Sequence, residues 1–155
     1  MEKDDFNVEL EYKKLKYKLP DFKDLDNEFE VSFIKEKPLL LKSIRRRITE
    51  KIILCCRVIE SLIYPTQSNI ITATEAKSFN EEQKKKMEHI YRKLMILERE
   101  SLMLDIDPSD KDDVRYINKV FNYWNKLKKE MIKVVEIMRK SWFEEEKLDK
   151  NNYFG

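Results

Sequence analysis

The densest run of basic side chains is Lys42-Ser43-Ile44-Arg45-Arg46-Arg47. Lys42, Arg45 and Arg46 have i, i+3 and i+4 spacing, which places them on one face of a helix. Such a face could contact the phosphates of a nucleic acid. The alternative is a solvated face whose arginines pair locally, for example Arg46 with Glu50. Nucleic-acid binding through Lys42, Arg45 and Arg46 is therefore our second functional hypothesis.

Carboxylates are abundant, but their spacing does not predict a metal site. A carboxylate-bridged site in a helical bundle uses Glu-x-x-His pairs, and the residue three before His89, the single histidine, is Lys86. The aspartates between Asp105 and Asp113 lack the glycine of a calcium-binding loop. They are typical of the first turn of a helix, whose dipole favours anions.

The scarcity of glycine excludes several kinds of catalytic loop. The single glycine is Gly155, the last residue, whereas phosphate-binding loops and dinucleotide fingerprints need glycine for positive φ and close backbone approach. Cys55 and Cys56 are adjacent, so they lack the two-residue gap of a redox or zinc pair. We expect no catalytic, cofactor-binding or metal-ligating residues, and a protein that is not an enzyme.

Three apolar ladders with helical periodicity predict three principal helices, at residues 38–63, 80–104 and 109–147. Pro38 suits the first turn of the first helix. Asn80 and Gln83 have capping-box spacing at the start of the second, and Ser109 starts the third. Ser101 interrupts the second ladder. Between the first two helices, the capping-box spacing of Thr72 and Glu75 indicates a short helical turn.

The N-terminal segment, residues 1–35, has a different pattern. Between residues 6 and 34 apolar and polar residues alternate with a period of two, as in Val8, Leu10 and Tyr12, which is typical of half-buried strands. The sequence predicts an extended arm or a small sheet here, with a helix at residues 6–19 as the weaker alternative. The expected fold class is mainly α: an antiparallel bundle of three helices in a single domain, residues 1–155.

The third helix is the strongest indication of a partner. At 39 residues it would be near 58 Å long at about 1.5 Å per residue, which exceeds the two helices before it. Its ladder continues through Met131, Val134 or Val135, Met138 and Trp142, and Trp124 lies on the same face as Trp142. A stripe of this size is seldom left in water on a monomer. We therefore predict a homodimer, or a complex with another protein, whose interface includes Met138 and Trp142.

Charge and composition give the broad class. The chain has 155 residues, with 32 basic and 30 acidic side chains and a net charge of +2, so there is no global attraction to nucleic acid or anionic membrane. No apolar run approaches the roughly 20 residues that span a bilayer. We expect a cytoplasmic protein without membrane contact. The high lysine, glutamate and isoleucine content is compatible with a thermophilic source or an AT-rich genome.

One partial resemblance concerns the first two helices. A basic apolar helix, a loop and a helix with an acidic start, over residues 41–51 and 80–94, is similar to the helical half of archaeal GINS replication subunits. That family has a small β-domain after these helices, whereas this sequence predicts another helix, so we assign no family. The leading hypothesis is a non-enzymatic helical interaction or scaffold protein that associates with itself.

Overall fold

The computed structural model describes residues 6–35, 38–66 and 68–153, with side chains up to residue 144. Within these residues the secondary structure is helical, without strands, and the predicted mainly α fold is confirmed. The α-helices are α1 (Val8–Lys13), α2 (Phe22–Phe29), α3 (Leu40–Ile63), α4 (Ile70–Ala76), α5 (Glu81–Ile106) and α6 (Asp110–Tyr153), with a short 3-10 helix at Val31–Phe33.

The three long helices have bounds close to the predicted ones. The predicted capping box of α5 is present: the Asn80 backbone N–H donates to Gln83 Oε1 at 2.9 Å, and the Gln83 N–H donates to Asn80 Oδ1 at 2.8 Å. Ser109 Oγ accepts from the Asp112 N–H at 3.3 Å at the start of α6. Helix α6 has 44 residues, so it is longer than the predicted 39 and continues well past residue 147.

The strands predicted within residues 6–34 are wrong: Val8–Lys13, Phe22–Phe29 and Val31–Phe33 are helical, and residues 14–21 connect the first two helices. The alternative, a helix at residues 6–19, holds only for Val8–Lys13. Asn7 caps α1 by accepting from the Leu10 N–H at 3.1 Å. Val8 and Tyr12 are buried four residues apart, whereas Leu10 between them is 56% exposed. A period of two and the i, i+4 spacing of a helix both fit Val8 and Tyr12, so the short pattern was ambiguous. Residues 1–5 of the predicted segment lie outside the described residues.

Helix α2 shows how this region packs. Asp21 caps it by accepting from the Lys23 and Asp24 N–H groups at 3.0 and 3.4 Å. Its buried side chains, Phe22, Leu25 and Phe29, have the i, i+3, i+7 spacing of one helical face. The helix ends at Glu30, whose φ of 55° is in the left-handed region. The capping residues Asn7 and Asp21 were the sequence signals for these helices.

The chain divides into two compact units, and the long helices contribute to both. The first unit comprises the residues up to Ile53 together with Ile96–Trp124. Ile48, which the α3 ladder places in the core, has no exposed surface here. The core of this unit is formed by apolar side chains that are 0–1% exposed, namely Leu25, Phe29, Val31, Ile44, Ile48, Ile52, Ile117 and Val120.

The second unit comprises Leu54–Met95 and the residues from Asn125 onward. It contains α4, which Asn69 caps by accepting from the Ile71 and Thr72 N–H groups. The short helical turn expected near Thr72 is therefore present, with its cap three residues earlier. The core of this unit is formed by side chains that are at most 8% exposed, including Ile59, Leu62, Phe79, Met87, Leu94, Leu127, Met131 and Val134.

Candidate functional site

Arg45 is the most unusual residue of the first unit, because its side chain has no exposed surface. Its Nε donates to Asp113 Oδ1 at 2.5 Å and its Nη2 donates to Asp105 Oδ1 at 2.7 Å. Its Nη1 donates to the backbone carbonyl and the hydroxyl of Ser101, at 2.9 and 2.6 Å. Residues of α3, α5 and α6 thus meet at a single guanidinium group.

Two further hydroxyl groups extend this arrangement. Thr49 Oγ1 lies 2.8 Å from Ser101 Oγ and 3.2 Å from the Tyr116 hydroxyl. Thr49 Oγ1 also donates to the Arg45 carbonyl at 2.8 Å. We call these six residues the Arg45 cluster: Arg45, Thr49, Ser101, Asp105, Asp113 and Tyr116. Among the residues with described side chains, no buried side-chain N or O atom lacks a hydrogen-bond partner, as stable burial of polar groups requires.

The electrostatics of the Arg45 cluster follow from its burial. Burial alone would lower the pKa of Arg45, but its bonds to Asp105 and Asp113 raise it. Burial also opposes ionisation of Asp105, yet the bonds from Arg45 and Arg46 hold its pKa below the usual value. For Asp113 burial is the stronger effect and raises the pKa. Burial raises the pKa of Tyr116 to about 12.

The three predicted phosphate contacts therefore do not form one exposed face. Arg45 points into the first unit and is held by aspartates, so its expected exposure on a basic face is wrong. Arg46 is exposed, and its Nε lies 3.2 Å from Asp105 Oδ1, whereas Glu50 Oε2 lies 3.9 Å from Arg47 Nη1. Lys42 is half-buried. Arg45 can be buried because Asp113, in the first turn of α6, accepts a hydrogen bond from it and is itself only 3% exposed.

Sequence reasoning missed the partners of Arg45, although one signal was present. Ser101 was noted as a polar interruption of the α5 ladder, and it is 2% exposed. A serine hydroxyl at a core position needs a hydrogen-bond partner. Arg45, which follows the core residue Ile44 on α3, is a candidate for that partner. Asp113 was explained by the helix dipole alone, whereas it also neutralises a buried cation.

The second unit has the opposite feature, an exposed apolar face on α6. Ile132, Val135, Trp142 and Phe143 are 53, 48, 43 and 55% exposed. Ile132 and Phe143 are eleven residues apart, about three helical turns, and Val135 and Trp142 are seven residues apart, about two turns. Because Val135 follows Ile132 by three residues, the four side chains lie on one side of the helix. We call these four residues the α6 stripe.

The predicted interface residues lie at the edge of the α6 stripe. Trp142 belongs to it, whereas Met138 is half-buried. Of the two alternatives in the ladder, Val134 is 7% exposed and Val135 is 48% exposed. The predicted ladder does not include Ile132 and Phe143. A ladder of residues three or four apart follows the buried face of a helix and leaves out the apolar residues next to that face.

A groove in the first unit lies between the C-terminal part of α5 and the N-terminal part of α6. Its volume is about 300 Å³, and its lining includes Met103, Leu104 and Tyr116. Its other lining residues are charged and form two ion pairs: Lys119 Nζ lies 2.7 Å from Glu100 Oε1, and Arg115 Nη1 lies 3.0 Å from Asp112 Oδ1. We call this feature the α5–α6 groove.

In the described part of the chain, no group of three or more His, Cys, Asp or Glu side chains has an arrangement that could hold a metal ion. Over the same residues, no helix is long and apolar enough to cross a membrane. Comparisons of the whole chain with protein-family models, with curated proteins and with solved structures give no match.

Proposed function

We propose that this protein is a non-enzymatic helical interaction protein that associates with itself through the α6 stripe. The observation that carries the proposal is the exposure of four large apolar side chains on one side of α6. Burying apolar surface is the main favourable contribution to association, at about 25 cal/mol per Å². The free energy therefore falls when another protein surface covers an exposed apolar face of a helix.

The residue types of the α6 stripe support an interface. Tryptophan, together with tyrosine and arginine, is enriched among the residues that dominate binding energy. The stripe combines Trp142 with Phe143, and the exposed Arg139 lies between Val135 and Trp142 along the helix. The first unit instead buries its tryptophan: Trp124 is 7% exposed and its Nε1 donates to Glu28 Oε2 at 2.6 Å.

A second copy of the chain is the simplest partner, because most oligomers of soluble proteins are built from identical chains. The mass of the protein should therefore rise from that of one chain to that of at least two chains as its concentration increases. Light scattering from low to high micromolar concentration measures this. One of the two tryptophans should be quenched by iodide at low concentration and become protected as the mass rises.

A charged stripe variant tests the location of the contact. Val135→Glu together with Trp142→Glu should keep the mass of one chain at concentrations where the parent protein is associated. The matched control is Ile70→Glu with Ile71→Glu, which adds the same charge at two residues of α4 that are 79 and 58% exposed. A parent protein that stays monomeric at high micromolar concentration, with neither tryptophan protected, would contradict the proposed self-association.

A further inference from the structure

We propose that the α6 stripe of one copy docks into the α5–α6 groove of a second copy, so that self-association joins two different surfaces. This inference rests on the proposed function and specifies its partner surface. The alternative arrangement within that function is a contact between two α6 stripes.

Exposed apolar side chains of α5 lie on the helix face beside the α5–α6 groove, whose lining itself combines apolar and charged residues. Met103 at its edge is 67% exposed, and Ile96 and Ile106, on the same side of α5, are 57 and 77% exposed. Ile96 precedes Met103 by seven residues and Ile106 follows it by three, so the three extend along one helix face. A flexible methionine side chain at such an edge can adapt to the shape of an inserted group.

The size of the α5–α6 groove suits an aromatic side chain. At about 300 Å³ it is at the lower end of the volumes found for small-molecule pockets, which is enough for a bicyclic ring. The α6 stripe offers such a ring in Trp142, and Phe143 is next to it. An aromatic side chain inserted in a pocket is the usual centre of a protein interface.

Charge argues against a contact between two α6 stripes. Residues 126–143 contain six basic and two acidic side chains, a balance of +4, and the basic segment ends where Glu144-Glu145-Glu146 begins. The exposed Arg139 lies along the stripe itself. Two stripes packed face to face would place the Arg139 side chains of both copies in the contact, and like charges across an interface disfavour association.

The charges around the α5–α6 groove fit the stripe better. The two ion pairs that line the groove, Glu100–Lys119 and Asp112–Arg115, balance each other. Asp107, Asp110 and Lys111 lie in and directly after the α5–α6 turn, close to Ile106 in the chain, and all three are exposed, so acidic side chains are in excess there. A helix carrying Arg139 and Lys140 could place its cations near these carboxylates while its apolar side chains enter the groove.

Two variants, each with one altered surface, test this arrangement by complementation. The stripe variant is Val135→Glu with Trp142→Glu. The groove variant is Met103→Lys with Ile106→Lys. Both residues are exposed, so we expect this variant to fold. Each variant alone should have a dissociation constant at least tenfold higher than that of the parent protein. Circular dichroism of each variant checks that it is folded, and Ile70→Lys with Ile71→Lys is the control for the groove variant.

The decisive measurement is the mass of an equimolar mixture. The stripe variant keeps an intact groove and the groove variant keeps an intact stripe, so the mixture should form a one-to-one complex although each variant alone is monomeric. If the groove variant alone associates like the parent and the mixture gives no new complex, two stripes pack on each other and the inference is overturned. A monomeric parent protein would instead refute the proposed self-association itself.

Discussion

The Arg45 cluster and the α6 stripe are opposite exceptions to the rule that charged side chains are exposed and apolar side chains are buried. In the first unit a charged side chain has no exposed surface, while in the second unit a tryptophan and three other large apolar residues are about half exposed. Hydrophobicity alone would have placed each residue the other way round. Buried polar groups and exposed apolar patches are the informative exceptions in a protein, and here they have different causes.

Partners explain the difference between the two regions. Arg45 can be buried because Ser101, Asp105 and Asp113 supply four acceptor atoms within 3 Å of its guanidinium group. An unpaired buried charge would cost several kcal/mol. The α6 stripe lies beside residues such as Met131 and Val134, which already fill the buried face of the helix. The proposed partner of the stripe is therefore outside the chain, whereas the partners of Arg45 are inside it.

The largest effect is expected when Arg45 loses its charge. Arg45→Met should lower the free energy of unfolding by about 3–5 kcal/mol, because Asp113 would be left buried without its cation. Chemical denaturation measures this. Adding Asp113→Asn to Arg45→Met should recover part of the loss, because it removes the unpaired charge. A cost below about 1 kcal/mol for Arg45→Met would show that the side chain is solvated and that the two regions do not differ in this way.

The next effect concerns alkaline pH and the buried hydroxyl of Tyr116. Burial raises its pKa from 10.0 to about 12, so between these values the folded protein keeps a proton that the unfolded chain releases. The free energy of unfolding should therefore fall as the pH rises from 10 to 12, by up to about 3 kcal/mol at roughly 1.4 kcal/mol per pKa unit.

The variant Tyr116→Phe isolates this contribution. It should reduce the alkaline fall in stability and leave the part that belongs to Tyr12, whose pKa burial and Asp21 also raise to about 12. Thermal unfolding at several pH values provides the measurement. Tyr17→Phe, at a tyrosine that is 43% exposed, is the matched control for the loss of a tyrosine hydroxyl. An unchanged slope in Tyr116→Phe would mean that this hydroxyl is open to water.

The α6 stripe should show the converse behaviour when it is truncated. Trp142→Ala should weaken self-association by about 2 kcal/mol, the size expected of a central aromatic interface residue. The stability of the dilute monomer should change by no more than about 0.5 kcal/mol, because surface substitutions are usually that small. Light scattering and chemical denaturation on the same samples separate the two effects. A large loss of monomer stability would show that Trp142 is a core residue.

The smallest effect is expected on the remaining basic face. Lys42→Gln with Arg46→Gln should change the free energy of unfolding by about 0.5 kcal/mol or less, since exposed ion pairs such as Arg46–Asp105 contribute little. These two residues allow a test of nucleic-acid binding that leaves the buried Arg45 in place. Retention on nucleic acid at low salt that disappears in this variant would favour the nucleic-acid hypothesis over self-association.

The sequence determined the helices wherever the signal was local and long. Apolar ladders placed α3, α5 and α6 near their observed bounds, and the capping pair Asn80 and Gln83 located the start of α5. These features depend on residues three or four positions apart, which a sequence displays directly. The N-terminal pattern failed because α1 has six residues, too few to distinguish a helical period from a period of two.

Only the tertiary structure decided which side chains of a helix are buried and by what. The partners of Arg45 are 56 to 68 residues away along the chain, and their approach depends on how α3, α5 and α6 pack. The same holds for the α6 stripe, where Val134 and Val135 are indistinguishable by type but differ from 7 to 48% in exposure. A hydrogen bond or a buried face is a relation between distant segments, so its place is fixed by packing and not by local sequence.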